Sequence, residues 1–401
     1  MHRFCGLAIA LVLSLSACTP PPEGIEIMTN GETPRGPTPA TTSTSSATQK
    51  PSHTIALPPP TGGIGDIKLR KLFNEAIRLS SFMVPPTVID PRFLGKGGVT
   101  LLYRKSDVDE AMQDYGYITG VSVSRQQIDN SEVSAALTND VWIFQDEASA
   151  AAATEALFRL RDEKPDHTKR VRTVEIPGFP EARAYSTHTG EGRFTYTRTT
   201  AHLQRGPFVV QVEVGRLTED ESVGIIAHSL TRQVAGLEGF TPTPVGQLSS
   251  LDEPYDPDGS LLKLVSDKNS FSPIGIGGVF DTKGALLFQG GAQPWPQVYR
   301  QAGVDRLIIG ESSRVTRAAD GVGAASLLND MRAEFASRKD YEPMSTPATV
   351  PNADCRQYES TVLVEDPLLA CLFQQGRYVA WVEGKQSVIG QRVQDQRNRL
   401  G

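Results

Sequence analysis

Histidine is the side chain best suited to proton transfer near neutral pH, and His167, His188, His202 and His228 all fall in one part of this 401-residue chain, with none after His228. A catalytic base also needs a nucleophile and an orienting group within reach. No Gly-x-Ser-x-Gly elbow is present, and Ser312-Ser313 lacks the flanking glycines that expose a nucleophilic serine. Each histidine is therefore expected to be structural, and no catalytic residue is assigned. Gly275-x-Gly277-Gly278 and Gly321-x-Gly323 are not followed by the lysine and hydroxyl residue of a phosphate loop and do not complete a dinucleotide fingerprint. Turns and close packing explain them better, and no cofactor is expected. Asp256-Pro257-Asp258-Gly259 starts like a calcium loop, but proline interrupts it and Val265 stands where a bidentate glutamate is required. A linker turn is the better reading, and no metal site is expected.

The elements that must position these residues form a diverged internal repeat. Gly95-Lys96-Gly97-Gly98-Val99 in one copy answers Gly275-Ile276-Gly277-Gly278-Val279 in the other. A helix then leads to a strand, at 108–115 and 117–123 in the first copy and at 295–302 and 304–309 in the second. A further strand, 141–144 or 315–318, turns at Asp146 or Asp320 into an alanine-rich helix, where the aspartate can accept from the free amides of the first turn. Gln204-Arg205-Gly206-Pro207-Phe208 and Gln374-Gln375-Gly376-Arg377-Tyr378 mark matching hairpins, and amphipathic helices close both copies at about 219–237 and 386–400. His202 precedes the first hairpin, and its counterpart is Leu372, which reads as a tolerated surface or sheet position. The segment 67–83 predicts an extra amphipathic helix, with 261–265 its shortened counterpart.

The fold class is α+β: two related domains, each an antiparallel sheet packed by helices, which the pattern places on one face, after a disordered lipidated N-terminal tether. The expected divisions are a signal peptide at 1–17, the tether at 18–63, a first domain at 64–240, a linker at 241–257 and a second domain at 258–401. Trp142, Trp295 and Trp381, with Phe144, Phe208 and Tyr378, fall on or beside the sheets. They are expected in the core, the alternative being an exposed apolar surface for a lipid, glycan or protein.

Arg3 and the apolar run 7–15, too short to span a bilayer, form an export signal. It closes on Leu15-Ser16-Ala17-Cys18, which resembles the lipobox of bacterial lipoproteins. The resemblance implies that Cys18 is joined to diacylglycerol and becomes the mature N-terminus. Two acyl chains, at roughly 0.8 kcal/mol per buried methylene, hold a protein stably on a membrane where one does not. The alternative is a plain secreted protein with an incidental thiol. Residues 18–63, rich in Pro, Thr and Ser, lack the apolar content to offset chain entropy. Formal charge is −6, and loss of 1–17, which carries one arginine and no acid, makes it −7. That balance argues against a nucleic-acid partner.

With Cys5 in the signal and Cys18 as lipid site, Cys355 and Cys371 remain as a pair in the second copy. An exported chain favours a disulfide between them, worth roughly 3 kcal/mol for a loop of about 15 residues; the alternative is two buried thiols that do not meet. The lipobox, the tether, the phrase from Asn269 to Gly278, the segment Ala302-Gly303-Val304-Asp305 and the cysteine pair together resemble an uncharacterised family of two-domain actinobacterial cell-envelope lipoproteins. The resemblance implies a location, a palmitate-type anchor on the extracytoplasmic face of the cell membrane, and supplies no catalytic residues to carry over. The expected function is a ligand- or partner-binding or scaffold protein, meeting the membrane through its anchor and an unknown envelope lipid, glycan or protein. The alternatives are an envelope hydrolase or transferase acting on lipid or cell-wall substrates, and a lipid carrier.

Overall fold

The computed structural model describes residues 69–95, 97–101, 112–129, 132–163, 169–189, 196–251, 255–265, 277–291, 293–310, 312–338, 341–343, 352–358 and 367–401. The expected signal peptide, the tether, Cys18, His167 and most of the phrase from Asn269 to Gly278 lie outside the described residues, as does half of the helix expected at 108–115.

In the first half, α1 (Leu69–Ser80) and α2 (Pro86–Ile89) lead to β1 (Gly97–Leu101). After a helical turn at 112–114 come β2 (Tyr117–Asp129), β3 (Glu132–Phe144), α3 (Glu147–Glu163), β4 (Lys169–Thr173), β5 (Arg183–Thr189), β6 (Tyr196–Arg205), β7 (Phe208–Gly215) and α4 (Glu219–Gly236). A short α5 (Val245–Leu248) and a 3-10 turn (Ser260–Lys263) cross to the second half. It comprises β8 (Gly278–Phe280), α6 (Thr282–Leu286), α7 (Trp295–Ala302), β9 (Arg306–Ile309), β10 (Ser313–Arg317) and α8 (Gly321–Ser337). The last elements are β11 (Tyr341–Pro343), β12 (Asp354–Tyr358), β13 (Leu368–Gln375), β14 (Tyr378–Lys385) and α9 (Gln386–Leu400).

Each half builds a seven-stranded antiparallel sheet, in the order β1-β2-β3-β7-β6-β5-β4 in one and β8-β9-β10-β14-β13-β12-β11 in the other. Every strand of the first sheet thus has its counterpart in the second, and the repeat read from the sequence is a repeat of topology. The matching hairpins turn at Gly206 and Gly376, both in the left-handed region at φ 53° and 58°. Asp146 and Asp320 cap the helices after the third strands, accepting from Ser149 N and Gly323 N at 2.8 Å. The 3-10 turn stands where the shortened counterpart of α1 was expected.

Helices cover both faces of each sheet, where the sequence pattern placed them on one. In the first half Trp142, Phe144 and Val209 pack with Ala150, Ala153 and Leu157 of α3, while the adjacent Val141, Ile143 and Val210 pack on the opposite side with the core that contains Ile226 and Leu230 of α4. The second half repeats this. Leu372 joins the core containing Leu327, Leu328 and Phe335 of α8, and its neighbours Cys371 and Phe373 join Ile389 and Val393 of α9. Strands buried on both faces read as apolar runs, and the central strands have lost the strict alternation that marks a one-sided sheet. Trp142, Phe144, Phe208 and Trp295 are buried, and Trp381 and Tyr378 pack partly buried against the cores.

The two halves share a core. Leu72, Phe73, Ala76 and Ile77 of α1 belong to one apolar cluster with Val121 and Val123 of the first half and Phe280, Ala285 and Leu287 of the second. The close approach explains a glycine: a Cβ on Gly278 of β8 would run into Ile77. Gly323 similarly lets α8 lie against the carbonyl of Ala302 at the end of α7.

Candidate functional site

The histidines do not come together. His188 is exposed with Nδ1 3.2 Å from Thr197 Oγ1, and His228 is paired on its own helix with Arg232 Nε at 3.1 Å. His202 is different, being 2% exposed in the middle of the first sheet, a buried position where the sequence left surface or sheet open. Its Nε2 donates to Gln211 Oε1 at 2.8 Å, and Gln211 Nε2 donates to Asp140 Oδ2 at 2.7 Å. Three neighbouring strands thus lay an imidazole, an amide and a carboxylate side by side, because His202 is the register partner of Gln211 and Gln211 of Asp140. Burial pulls the imidazole down to about 4, more than the Gln211 side chain and the nearby Arg183 backbone lift it, so it is neutral at pH 7. Trp142 and Tyr185 stand beside it, ring centroids 6.4 and 6.3 Å away. The second half fills the matching positions with Leu372, Trp381 and Arg314, so the fold does not require this row. Gln211 was not singled out in the sequence, although counting outward from the Gly206 turn pairs it with His202.

The second place where polar chemistry gathers is the junction of the halves. Arg125 of β2 is 4% exposed, and its guanidinium donates to the carbonyls of Leu287, Gln289 and Ser124, the last two at 2.7 Å. Burial lowers its pKa to about 10, so it stays charged, with carbonyl dipoles in place of water. Gly291 N donates back to Leu94 O at 2.7 Å, closing the same contact from the second half.

On another side of α1 a cleft of about 360 Å³ opens between the halves. Arg78, Ser81 and Phe82 line it from the first half, Gly239, Phe240, Thr241 and Tyr255 from the connection, and Asp281 and Lys283 from the second. The aromatic wall is fixed from behind. Phe240 packs between Phe82 and Phe208 at 5.0 and 6.0 Å, and the Arg78 guanidinium lies 5.5 Å over its ring. Arg78 is held by Glu75 Oε2 and Thr243 Oγ1, both at 2.6 Å, and keeps a third of its side chain exposed. Asp281 Oδ1 accepts from Gly284 N at 2.8 Å, which commits it to capping α6.

The remaining sequence candidates take structural roles. Cys355 and Cys371 face each other across β12 and β13 and form a disulfide, Cα atoms 4.1 Å apart, inside the core under α9. Asp256 accepts from Leu261 N at 3.2 Å, and Asp258 pairs with Arg306 and Arg317 at 3.2 and 3.0 Å, so this segment is a capped turn. Among the described residues no group of histidine, cysteine, aspartate and glutamate is arranged to hold a metal, and no helix is long and apolar enough to cross a membrane.

Comparison with known sequences finds a domain of unknown function, DUF7373, whose N-terminal part matches residues 71–252 and whose C-terminal part matches residues 263–397. No curated protein matches the chain. Among solved structures, the extracellular domain of PknH from Mycobacterium tuberculosis aligns at 14% identity with a TM-score of 0.31, covering 40% of this chain and 96% of that one.

Proposed function

The chain belongs to the DUF7373 family, whose function is unknown, and from its own residues we propose that it is a lipid-anchored, extracytoplasmic binding or scaffold protein of the cell envelope. The observation that carries the binding reading is the cleft at the junction, lined from both halves and from the connection between them. Clefts at such boundaries are where proteins most often take small ligands. Export is supported by the signal-like run before Cys18 and by the Cys355–Cys371 disulfide, a bond that persists in oxidising compartments. In this reading Cys18 carries the acyl chains, residues 18–63 give the body reach from the membrane, and the partner is an envelope lipid, glycan or protein.

The protein is expected to capture such a component from the envelope without converting it. Covalent trapping by a broad serine-hydrolase probe, abolished by substituting one serine, would overturn this in favour of an envelope hydrolase or transferase.

A further inference from the structure

We propose that the junction cleft takes a sugar ring, the end unit of an envelope glycan, as a neutral ligand held through its hydroxyls. This rests on the binding reading above and narrows the partner from lipid, glycan or protein to glycan. The Arg78 charge is already balanced, since its Nη1 is paired with Glu75 and also donates to Thr243 Oγ1. Asp281 gives only Oδ1 to the cap of α6. Left uncommitted among the described residues are one pure acceptor, Asp281 Oδ2, one pure donor, the Lys283 ammonium, and the hydroxyls of Ser81, Thr241 and Tyr255, which both donate and accept. They converge from three parts of the chain: Ser81 from the first half, Thr241 and Tyr255 from the connection, and Asp281 and Lys283 from the second half.

This set carries no net charge and mixes donors with acceptors, so an anion would meet the Asp281 carboxylate and a cation the Lys283 ammonium. A zwitterion would match both charges, but Asp281 and Lys283 are exposed, and ion pairing at exposed sites barely offsets the water that the charges lose. A sugar brings neighbouring hydroxyls that each donate and accept. They lose less on leaving water than charged groups do, and they can satisfy the carboxylate, the ammonium and the three hydroxyls together. The bonds to the two charged groups are the strong ones. Apolar surface in the cleft is limited, because Phe240 is 8% exposed with the Arg78 guanidinium over its ring, which leaves the half-buried rings of Phe82 and Tyr255. That is too little for an acyl chain and suits the C–H face of a sugar ring. A volume of about 360 Å³ is at the small end of ligand pockets and admits the end of a glycan rather than a long stretch of it.

The test is saturation-transfer NMR and calorimetric titration of the full-length, acylated chain in polyoxyethylene micelles, whose detergent carries no sugar. The probes are the methyl glycosides of glucose, mannose, galactose, arabinose and N-acetylglucosamine. At least one is expected to bind, with an affinity that does not change between low and high salt, since a neutral ligand has no charge to screen. Asp281→Asn keeps the oxygen that caps α6 and turns the free one into an amide, and it should weaken binding about tenfold. Lys283→Ala and Tyr255→Phe should each weaken it severalfold, and Lys385→Ala, an exposed cation on β14, should leave it unchanged. Thermal midpoints should match the wild type; if the α6 cap suffers in Asp281→Asn, the exposed Lys283 still gives a readable variant. Inorganic phosphate and free glycine are not expected to bind. Tighter binding of either, falling as salt rises, overturns the proposal in favour of a charged ligand, as does failure of every glycoside to bind or equal affinity in wild type and the cleft variants. The broader reading is judged by whether the wild-type chain captures an envelope component: capture that no glycoside competes sinks the cleft assignment alone, and no capture sinks both.

Discussion

His202 shows how a residue type can be legible while its role is not. The sequence marks it as one of four histidines of the first copy, places it on a strand and pairs it through the repeat with Leu372, but does not tell that three strands line up an imidazole, an amide and a carboxylate in the interior. The Gly206 turn sets His202 against Gln211, but Gln211 meets Asp140 across β7 and β3, strands that no turn joins, and residue types alone do not fix that register. The buried imidazole has a consequence for stability. Its pKa is about 4 in the folded chain against about 6.5 when unfolded, so on acidification the unfolded chain takes up the proton first. Stability from this group is fully present above pH 6.5 and drains away as pH falls toward 4, by roughly 3 kcal/mol at the limit. His202→Gln should flatten the fall between pH 6.5 and 4.5 in urea unfolding, relative to the wild type. Parallel pH curves for the two proteins would show that the imidazole is solvated or already charged when folded.

At the scale of elements the sequence was most informative. The aspartate caps, the glycine hairpins and the closing helices stand where local chemistry put them, because caps and tight turns are decided by a few adjacent residues. A strand buried on both sides has no alternation to read, so the pattern points to cover on one sheet face where the structure has it on both. Compartment and count pair Cys355 with Cys371, and the structure sets them directly across β12 and β13. Reduction of that bond should lower stability by roughly 3 kcal/mol on the chain-entropy model for its separation of 16 residues. Hydrogen exchange should then quicken first in β12, β13 and α9, while β2 and β3 keep their protection; uniform loss in both sheets would contradict a local staple. Arg125 makes the opposite kind of link, from one sheet to the loop after α6. Arg125→Met keeps most of the side-chain volume but leaves three carbonyls without their donor, and is expected to cost about 2–3 kcal/mol, seen as an earlier denaturant midpoint. A midpoint unchanged from wild type would mean that water replaces the guanidinium at no cost.

On the scale of the whole molecule the repeat predicted two related halves and gave no sign of how they join. The joining surface uses α1, which lies outside the repeat proper, and ordinary apolar residues such as Ile77 and Leu287 whose partners are about two hundred positions away. Because one core runs from Leu72 through Phe280 to Phe335, the described body should unfold in a single transition, with coincident fluorescence and circular-dichroism curves. A fragment ending at residue 240 should be much less stable than the same residues in the full chain, and two separated transitions would indicate halves that merely touch. A binding protein of the envelope must be exported, cleaved and acylated at Cys18, with its second half oxidised. The most direct measurement is the intact mass of the protein purified from membranes without reductant. It is expected to equal that of residues 18–401, less two hydrogens for the Cys355–Cys371 bond, plus a diacylglycerol adduct that is missing in Cys18→Ser. A chain that retains residues 1–17, or one that begins elsewhere with no lipid mass and both thiols free, would contradict it.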